Sequence, residues 1–566
     1  MSTPSEFQLK IYKHFRIAEL RQGKGKSYNA VISAGAGSGK STTLRAGIHE
    51  IKLKYPKARI LSLQFNKHIK EEMEAKLGKI DGVDIMTSHA SGLSVLKANG
   101  YGKCKVNSAK YYMLSKTYIE NNAINKIIRA FAPPTTNGNL PSPDVQKAAL
   151  IKAFSQLTEL VKFTLSTKTD HTDHQSILNM IDRHSLDIQT HEMLPMITAI
   201  VTEGVELVRT NRALSFEDMI CCPTLLGCKF PHYDWVLVDE AQDLNAAQLE
   251  LVMQFGANGK CMAFGDRRQA IMGWAGAMSD GMDKFKNVMN ARELPLNVCY
   301  RCAHNILELA RCLNPDIMDR PGVDEGIVAC TTKQEVAMQA MPGDYVLCRL
   351  TAPLVSMCIG FIKIGKAARV KGKDIGKKLV DIYDAIASMA EDSSIDSFIG
   401  AFSDFRLEEE QRAMKKKLTP AKVAAMTDEH DCISAIASYI AEKNPTGVTP
   451  HRDIRNQILN LFDDEITKDF VMLCTIHRSK GLEAKRIFII DFHKMPFKFG
   501  NKETSADQYL QEINLIYVAV TRAMNELYIE SAGMFQSVKD IHCHLSNLTF
   551  SDSRAIIWNA QPTPVN

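Results

Sequence analysis

The residues most able to do chemistry lie in one short stretch: Ala34, Gly35, Ala36, Gly37, Ser38, Gly39, Lys40, Ser41 and Thr42 follow one another without interruption. Glycines at this density let successive backbone N–H groups turn toward phosphate oxygens. A lysine after the last glycine reaches the β and γ phosphates, and the next hydroxyl ligates Mg2+. Lys40 and Ser41 take those two positions. Strictly, the pattern opens on glycine and here opens on Ala34, so alone the stretch also reads as a glycine-rich turn. Its surroundings favour the phosphate loop: residues 28–34 (YNAVISA) form an apolar, β-prone run, and Leu44, Ile48 and Ile51 mark a helix just after it.

A second group, Asp239-Glu240-Ala241-Gln242-Asp243, directly follows the apolar run WVLV. Ligands in open α/β sheets bind beyond the carboxyl ends of the strands, which places Asp239 in the Mg2+ shell and Glu240 where it can orient and deprotonate an attacking water. By itself an acidic pair after a strand reads equally well as an exposed helix start, where the dipole favours carboxylates. Together with the loop it indicates nucleotide hydrolysis rather than binding alone.

These residues need a scaffold of short strands. Residues 58–65 (ARILSLQF), 234–242 (DWVLVDEAQ) and 260–269 (KCMAFGDRRQ) are further apolar runs ending in polar residues and alternating with helical patterns, as in a buried parallel sheet. Between 100 and 210 the pattern turns helical, broken by FAPPTTNGNLPSP at 131–143. A second α/β texture begins near Arg292, with strands at 345–350, 469–477 and 486–492 around a helical stretch. The fold class read from this is α/β. The first α/β domain comprises 1–99 and 206–291, with 100–205 as a helical insertion. The second comprises 292–365 and 465–550, with 366–464 as its insertion and 551–566 as a frayed tail. The run Glu408, Glu409, Glu410 followed by Lys415, Lys416, Lys417 reads as a solvated helix face with i,i+4 pairs in preference to a DNA-contacting patch.

Composition removes whole classes. With 566 residues, 45% hydrophobic and 23% charged, the chain is neither disordered nor collagen-like, and it contains no apolar run of bilayer-spanning length. The polar N-terminus lacks a signal core, so a non-secreted protein is expected, cytoplasmic or, in a eukaryote, nuclear, with its 14 cysteines as thiols. Cys221, Cys222 and Cys228 lie close together, and Cys299 and Cys302 form a CxxC. Neither group has a second pair at zinc-site spacing, so both read as buried or incidental thiols. A net charge of +5 neither demands nor forbids a nucleic-acid partner.

Beyond the loop and the acidic group, the chain resembles the superfamily 1 DNA helicases of the UvrD and Rep type across nearly its whole length. In order, LSLQFNKHIKEEM (61–73) is similar to motif Ia, TSHASGLSVL (87–96) to motif Ib, GDRRQAIMGWAGA (265–277) to motif III and YRC (300–302) to motif IV. TIHRSKGLEAKRI (475–487) is similar to motif V and LIYVAVTRAMNEL (515–527) to motif VI. FNKHIKEEM and FEDM (216–219) look closer to the F-box DNA helicase and its phage relatives. The resemblance implies two RecA-like P-loop domains, each with a helical insertion, that use ATP and Mg2+. It implies that Gln8 reads adenine, Tyr300 stacks on it, Glu483 meets the ribose, and Gln269 links the γ phosphate to the DNA side. Arg301 and Arg522 supply positive charge to the γ phosphate. Phe65, Asn66, Thr87, His89, Trp274 and His477 fall at family positions for the DNA track.

Taken singly, each arginine reads as a surface salt bridge, an isolated Trp as core and His89 as a structural histidine; the flanking motifs change those readings. Met272, Ala275 and Ser88 depart from the aromatic, arginine and aromatic common in the family, and motif Ia carries its aromatic at Phe65, so the base-stacking track is expected to be thinner or differently placed. The expected function is an ATP-dependent translocase that moves 3′ to 5′ on single-stranded DNA and unwinds duplex. The implied partners are single-stranded and duplex DNA and a loading or single-strand-binding protein, for a monomer or weak oligomer with no membrane. The rivals are a translocase that strips bound proteins without unwinding, and a P-loop phosphotransferase, against which Arg522 in TRA argues.

Overall fold

The computed structural model describes residues 4–17, 28–121, parts of 147–162, 194–273, 278, 280–415, 420–443, 450–464, 469–498 and 506–550. Trp274, Ala275, Lys416, Lys417, the segment 131–143 and the tail 551–566 lie outside the described residues. The chain forms two compact units, Met1–Val298 and Cys299–Asn566.

In the first unit, six strands form one parallel sheet: β1 (Ala30–Ala34), β2 (Ile60–Gln64), β3 (Val83–Thr87), β4 (Trp235–Val238), β5 (Lys260–Gly265) and β6 (Arg292–Leu296). Their order is β3-β2-β4-β5-β1-β6. Successive side chains of a strand point to opposite faces, so a strand covered on both sides must be apolar throughout. Ile32, Leu237, Met262 and Phe264 join one core with Phe15 and Ile48, whereas Val31, Val236, Val238 and Ala263 join the other with Leu251 and Phe285. Helices Glu6–Ile17 and Lys40–Lys54 supply the first layer, and helices Ala246–Gly256 and Gly281–Val288 the second.

The insertion between β3 and β4 contributes helices Lys110–Asn121 and Leu194–Arg209, followed by helix Phe216–Leu225. A buried charge cluster joins them. Asp218 accepts hydrogen bonds from Lys110 Nζ at 2.6 Å, from the Tyr111 hydroxyl at 2.8 Å and from Lys162 Nζ, and all four side chains are buried. Helix Phe216–Leu225 in turn packs tightly on helix Ser88–Leu96. A Cβ at Gly92 would stand 1.8 Å from the Met219 carbonyl oxygen, so only glycine permits this approach.

Among the described residues, the main sheet of the second unit has seven parallel strands: β7 (Ile327–Thr331), β8 (Tyr345–Cys348), β9 (Ala368–Lys371), β10 (Phe462–Asp463), β11 (Val471–Thr475), β12 (Ala484–Ile489) and β13 (Ala523–Glu530). The order is β7-β13-β12-β8-β11-β9-β10. Helices Lys373–Ala387, Ile395–Lys415, Pro420–Lys443 and Arg452–Leu461 lie between β9 and β10 in sequence and share a core with helix Ala352–Lys363. On helix Ile395–Lys415, Arg406 pairs with Glu410 at 3.1 Å and Arg412 pairs with Glu409.

Two boundaries differ from the sequence reading. The first unit ends at Val298 rather than Ala291, because β6 pairs with β1 from Ala30↔Arg292 to Ala34↔Leu296. The second insertion is narrower than 366–464, because β9 and β10 at its ends belong to the sheet. All fourteen cysteines are free; Cys221, Cys222, Cys299 and Cys302 are buried and Cys228 is half-buried.

Candidate functional site

Functional segments of the first unit gather at the carboxyl ends of its parallel strands, where a sheet of this type leaves backbone and side chains available to a ligand. The phosphate loop leaves β1 with the Gly35 N–H donating to the Leu296 carbonyl at 3.0 Å. Gly37 and Gly39 adopt φ of 64° and 79°, a left-handed conformation that favours glycine, and helix Lys40–Lys54 begins directly afterwards. Ala34, Ala36 and Ser38 are buried, and the Ser38 hydroxyl has no hydrogen-bond partner. An unpaired buried hydroxyl costs about 1–3 kcal/mol, a cost that phosphate oxygens in the loop would relieve. Thr42 is exposed and accepts from Arg45 at 3.3 Å.

Charge is concentrated where β4 and β5 end. Lys40 Nζ donates to Glu240 Oε2 at 3.3 Å, and the Ser41 hydroxyl donates to Asp239 Oδ2 at 3.4 Å. Burial first, then the neighbouring Glu240, raise the Asp239 pKa well above the usual carboxylate value. Burial likewise raises that of Asp266. Burial alone would lower the Lys40 pKa, but Glu240, Asp266 and Asp239 outweigh it and hold the ammonium charged. Three carboxylates thus face one ammonium, an excess of negative charge that a divalent cation would offset. A hydroxyl beside a carboxylate is a hard oxygen donor set of the kind Mg2+ prefers. Ser41 and Asp239 therefore fit the metal role assigned from sequence. Glu240 sits in the left-handed region at φ 49°, a strained setting for a residue other than glycine.

A hydrogen-bonded chain leads on from Glu240. The Gln242 amide donates to Glu240 Oε2 at 2.5 Å, and its carbonyl accepts from the Asp266 backbone N–H at 3.0 Å. Gln269 Nε2 donates to Asp266 Oδ2 at 2.7 Å. Gln269 thus reaches the loop through Asp266 and Gln242, two residues to which the sequence reading gave no role. Asp266 had a sequence signal, since it follows β5 as Asp239 follows β4. On the other side, buried Gln8 donates to the Thr43 hydroxyl at 3.1 Å, and its amide nitrogen would lie 3.6 Å from a Cβ at Gly39. The glutamine is therefore fixed beside the loop.

The second unit collects the remaining nucleotide candidates. Arg301 Nε pairs with Glu483 Oε2 at 2.5 Å, and Arg301 Nη1 donates to the Thr521 carbonyl at 3.3 Å. The neighbouring Arg522 is buried, its Nε donating to the Val518 carbonyl and its Nη1 to the Leu482 carbonyl, both at 3.1 Å. Tyr300 is half-buried beside them in sequence.

A profile of the UvrD/REP helicase N-terminal domain matches residues 21–290, and one of the UvrD-like helicase C-terminal domain matches residues 362–533. The chain belongs to the UvrD-type helicases of superfamily 1. Its two units are accordingly RecA-like domains. A probable DNA helicase II homolog of Mycoplasma genitalium is 27% identical over 312 residues, covering 52% of this chain and 41% of the relative. The ATP-dependent DNA helicase PcrA of Leuconostoc citreum is 24% identical over 310 residues, covering 50% of this chain and 36% of the relative. A probable DNA helicase II homolog of Mycoplasma pneumoniae aligns over 90% of this chain and 82% of its own length at 22% identity. The chain thus spans less than half the length of the first two relatives.

In this UvrD-type chain, the described nucleic-acid candidates of the first unit, Phe65, Asn66, Thr87 and His89, lie at or just after the ends of the adjacent strands β2 and β3, where Gln64 is in register with Thr87. Half-buried Phe65 is followed by Asn66, which caps helix Lys67–Leu77 by accepting from the Ile69 N–H at 2.9 Å. Thr87 caps helix Ser88–Leu96 through the Ala90 N–H at 3.3 Å. His89 meets Phe216 edge-on, with ring centroids 6.3 Å apart, and burial lowers its pKa despite Glu217. Phe216 is 49% exposed. It is a flat, solvent-facing ring beside a predicted DNA residue, and only the packing of two distant helices reveals it. In the second unit, His477 lies in a turn after β11. Burial, followed by Arg349, Arg478 and Lys480, pushes its pKa down to about 3, so it is neutral at pH 7.

Proposed function

We propose that this UvrD-type protein hydrolyses ATP to move along single-stranded DNA, 3′ to 5′, and to separate duplex strands. The observation that carries the reading is the hydrogen-bonded chain from Lys40 through Glu240, Gln242 and Asp266 to Gln269. It ties the group that would touch the γ phosphate to the segment after β5 that leads into the DNA motif. A static binding module has no need of such a connection.

The roles follow from the chemistry of each group. Backbone N–H groups of the loop and the Ser38 hydroxyl hold phosphate oxygens, and Lys40 turns from Glu240 to the β and γ phosphates. Glu240, released from the lysine, accepts the proton of the attacking water. Ser41 and Asp239 would hold Mg2+, which supplies charge neutralisation on the β and γ oxygens. Arg301 and Arg522 stabilise charge as it builds on the transferred phosphoryl group. Because Arg301 is paired with Glu483, its use on ATP frees Glu483 for the ribose. Gln8 and Tyr300 select adenine through an amide edge and a ring face. Loss of the γ phosphate alters the Glu240 end of the chain, and Gln269 passes that change to the DNA-facing residues.

Phe65, His89, Phe216, Trp274 and His477 hold the strand by stacking and neutral polar contact, which is insensitive to base sequence. Unwinding assays on duplexes with a 3′ or a 5′ single-stranded tail test the proposal. ATP-dependent separation of the 3′-tailed duplex is expected. Separation only from 5′ tails contradicts the polarity, and none from either contradicts the helicase reading.

A further inference from the structure

The segment Cys299-Tyr300-Arg301-Cys302 places a thiol on each side of the residues proposed to meet the base and the γ phosphate. Both thiols are 0% exposed. The Cys302 backbone N–H donates to Cys299 Sγ at 3.4 Å, so the turn already folds the second cysteine back onto the first sulfur. The Cys302 thiol donates to the Thr521 carbonyl at 3.7 Å, the same oxygen that accepts from Arg301 Nη1 at 3.3 Å. Cysteine and arginine are thus seated on one anchor.

We propose that Cys299 and Cys302 are an oxidisable dithiol, and that the disulfide formed with a peroxide switches off ATP turnover by unseating Arg301. The second half rests on the role given to Arg301 above. Reactivity is divided between the two sulfurs. When the Cys302 thiol turns its one hydrogen from Thr521 to Cys299 Sγ, that hydrogen bond lowers the Cys299 pKa against the effect of burial, assisted by the N–H groups of Cys302 and Arg301 and by the Arg301 charge. The same hydrogen bond, with burial, raises that of Cys302. Cys299 is the nucleophile and Cys302 the resolving thiol, an arrangement that CxxC spacing and a nearby cation favour.

The chemistry balances with hydrogen peroxide as oxidant. The Cys299 thiolate attacks one peroxide oxygen, the O–O bond breaks, and the released hydroxide takes a proton to become water. Cys302 sulfur then attacks the sulfenic sulfur of Cys299; the S–S bond forms, the S–O bond breaks, and a second water leaves. Two thiols lose two electrons and two protons, and one peroxide becomes two waters. A small oxidant suits a pair with no exposed surface, whereas bulky disulfides do not. Closing the bond brings the sulfurs to about 2.0 Å and removes the thiol hydrogen that bound Thr521. The Cys302 end of the Tyr300–Arg301 turn is then tied to Cys299 instead of to the arginine's anchor.

The test treats the 566-residue chain with graded hydrogen peroxide, then maps tryptic peptides without reduction and measures ATP turnover on the same samples. Trypsin cuts after Arg301, so the reduced protein yields 293–301 and 302–311 separately, whereas the disulfide keeps them joined. The joined pair should appear as turnover falls at least about tenfold, a part of the roughly 10³-fold or more an arginine finger contributes, and reductant should reverse both. Cys302→Ser should form no joined pair and keep its turnover after peroxide. Should that variant fail to fold, Cys299→Ala serves the same purpose. No joined pair under doses that oxidise the exposed Cys543 overturns the proposal, and so does a joined pair with unchanged turnover. Absence of ATPase in the untreated protein is a failure of the hydrolysis reading instead, and the peptide map still decides whether the dithiol exists.

Discussion

Replacing Glu240 with Gln separates proton acceptance from shape, and the surroundings of the residue make the outcome calculable. The carboxylate is held by Lys40 at 3.3 Å and by the Gln242 amide at 2.5 Å, and a glutamine carbonyl can accept from either. Removing one partner of a buried ion pair costs about 3–5 kcal/mol when the other charge is left unpaired. Here Lys40 retains Asp239 and Asp266, so thermal stability should change by less than about 1 kcal/mol. Asp239, freed from the repulsion of Glu240, should ionise more readily and keep its fitness for Mg2+. The chemical step loses its base, and turnover should fall about 10²- to 10⁴-fold, roughly 3–5 kcal/mol on the barrier. Single-turnover hydrolysis, nucleotide binding and a melting curve on one preparation separate these effects. Ordinary turnover by Glu240→Gln refutes the assignment of the base. Loss of ATP binding in a folded variant shifts Glu240 to the metal.

Other outcomes follow from the same geometry. Because the folded-state pKa of Asp239 is raised, the empty protein should lose stability as pH rises from the ordinary carboxylate value of about 4 toward the raised one, with Asp266 adding the same sign. Asp239→Asn should flatten that loss in urea unfolding at a series of pH values while abolishing Mg2+-dependent turnover; an unchanged slope refutes it. Asp218→Asn strips the carboxylate from two buried lysines and should destabilise the first unit by at least about 3 kcal/mol in denaturant, and a change below 1 kcal/mol would show that the cluster relaxes freely. Phe216→Ala should weaken single-stranded DNA by about 1–3 kcal/mol, read as a higher DNA concentration for half-maximal ATPase with basal turnover intact. An unshifted DNA titration removes Phe216 from the track.

What was legible in the sequence follows burial. The four central strands of the first sheet, β2, β4, β5 and β1, are mostly apolar because helices cover both their faces, and in the second sheet β8, β11 and the Ile487–Ile489 end of β12 are apolar because successive residues are buried. The strands that escaped lie at or next to the edges. β3 is half-buried along its length, β6 carries Arg292, Glu293 and Pro295, and β9 is the mixed ARVK. Loop and acidic residues were legible because each is fixed to a strand end a few positions away. Asp266 carried the same strand-end signal, whereas Gln242 and the Asp218 cluster carried none, because their roles arise from contacts between residues far apart in the chain. Lys110 and Lys162 in particular have the look of solvent-facing helix lysines until Asp218 is brought between them.

The central claim is that the Lys40–Glu240–Gln269 network couples ATP hydrolysis to a single strand of DNA. Steady-state ATP hydrolysis by the 566-residue chain, titrated with single-stranded DNA at fixed Mg2+, tests it most directly. A low basal rate that rises at least about tenfold and saturates with added strand is the predicted result, tenfold being 1.36 kcal/mol on the barrier. A rate that is the same with and without single-stranded DNA would contradict the account.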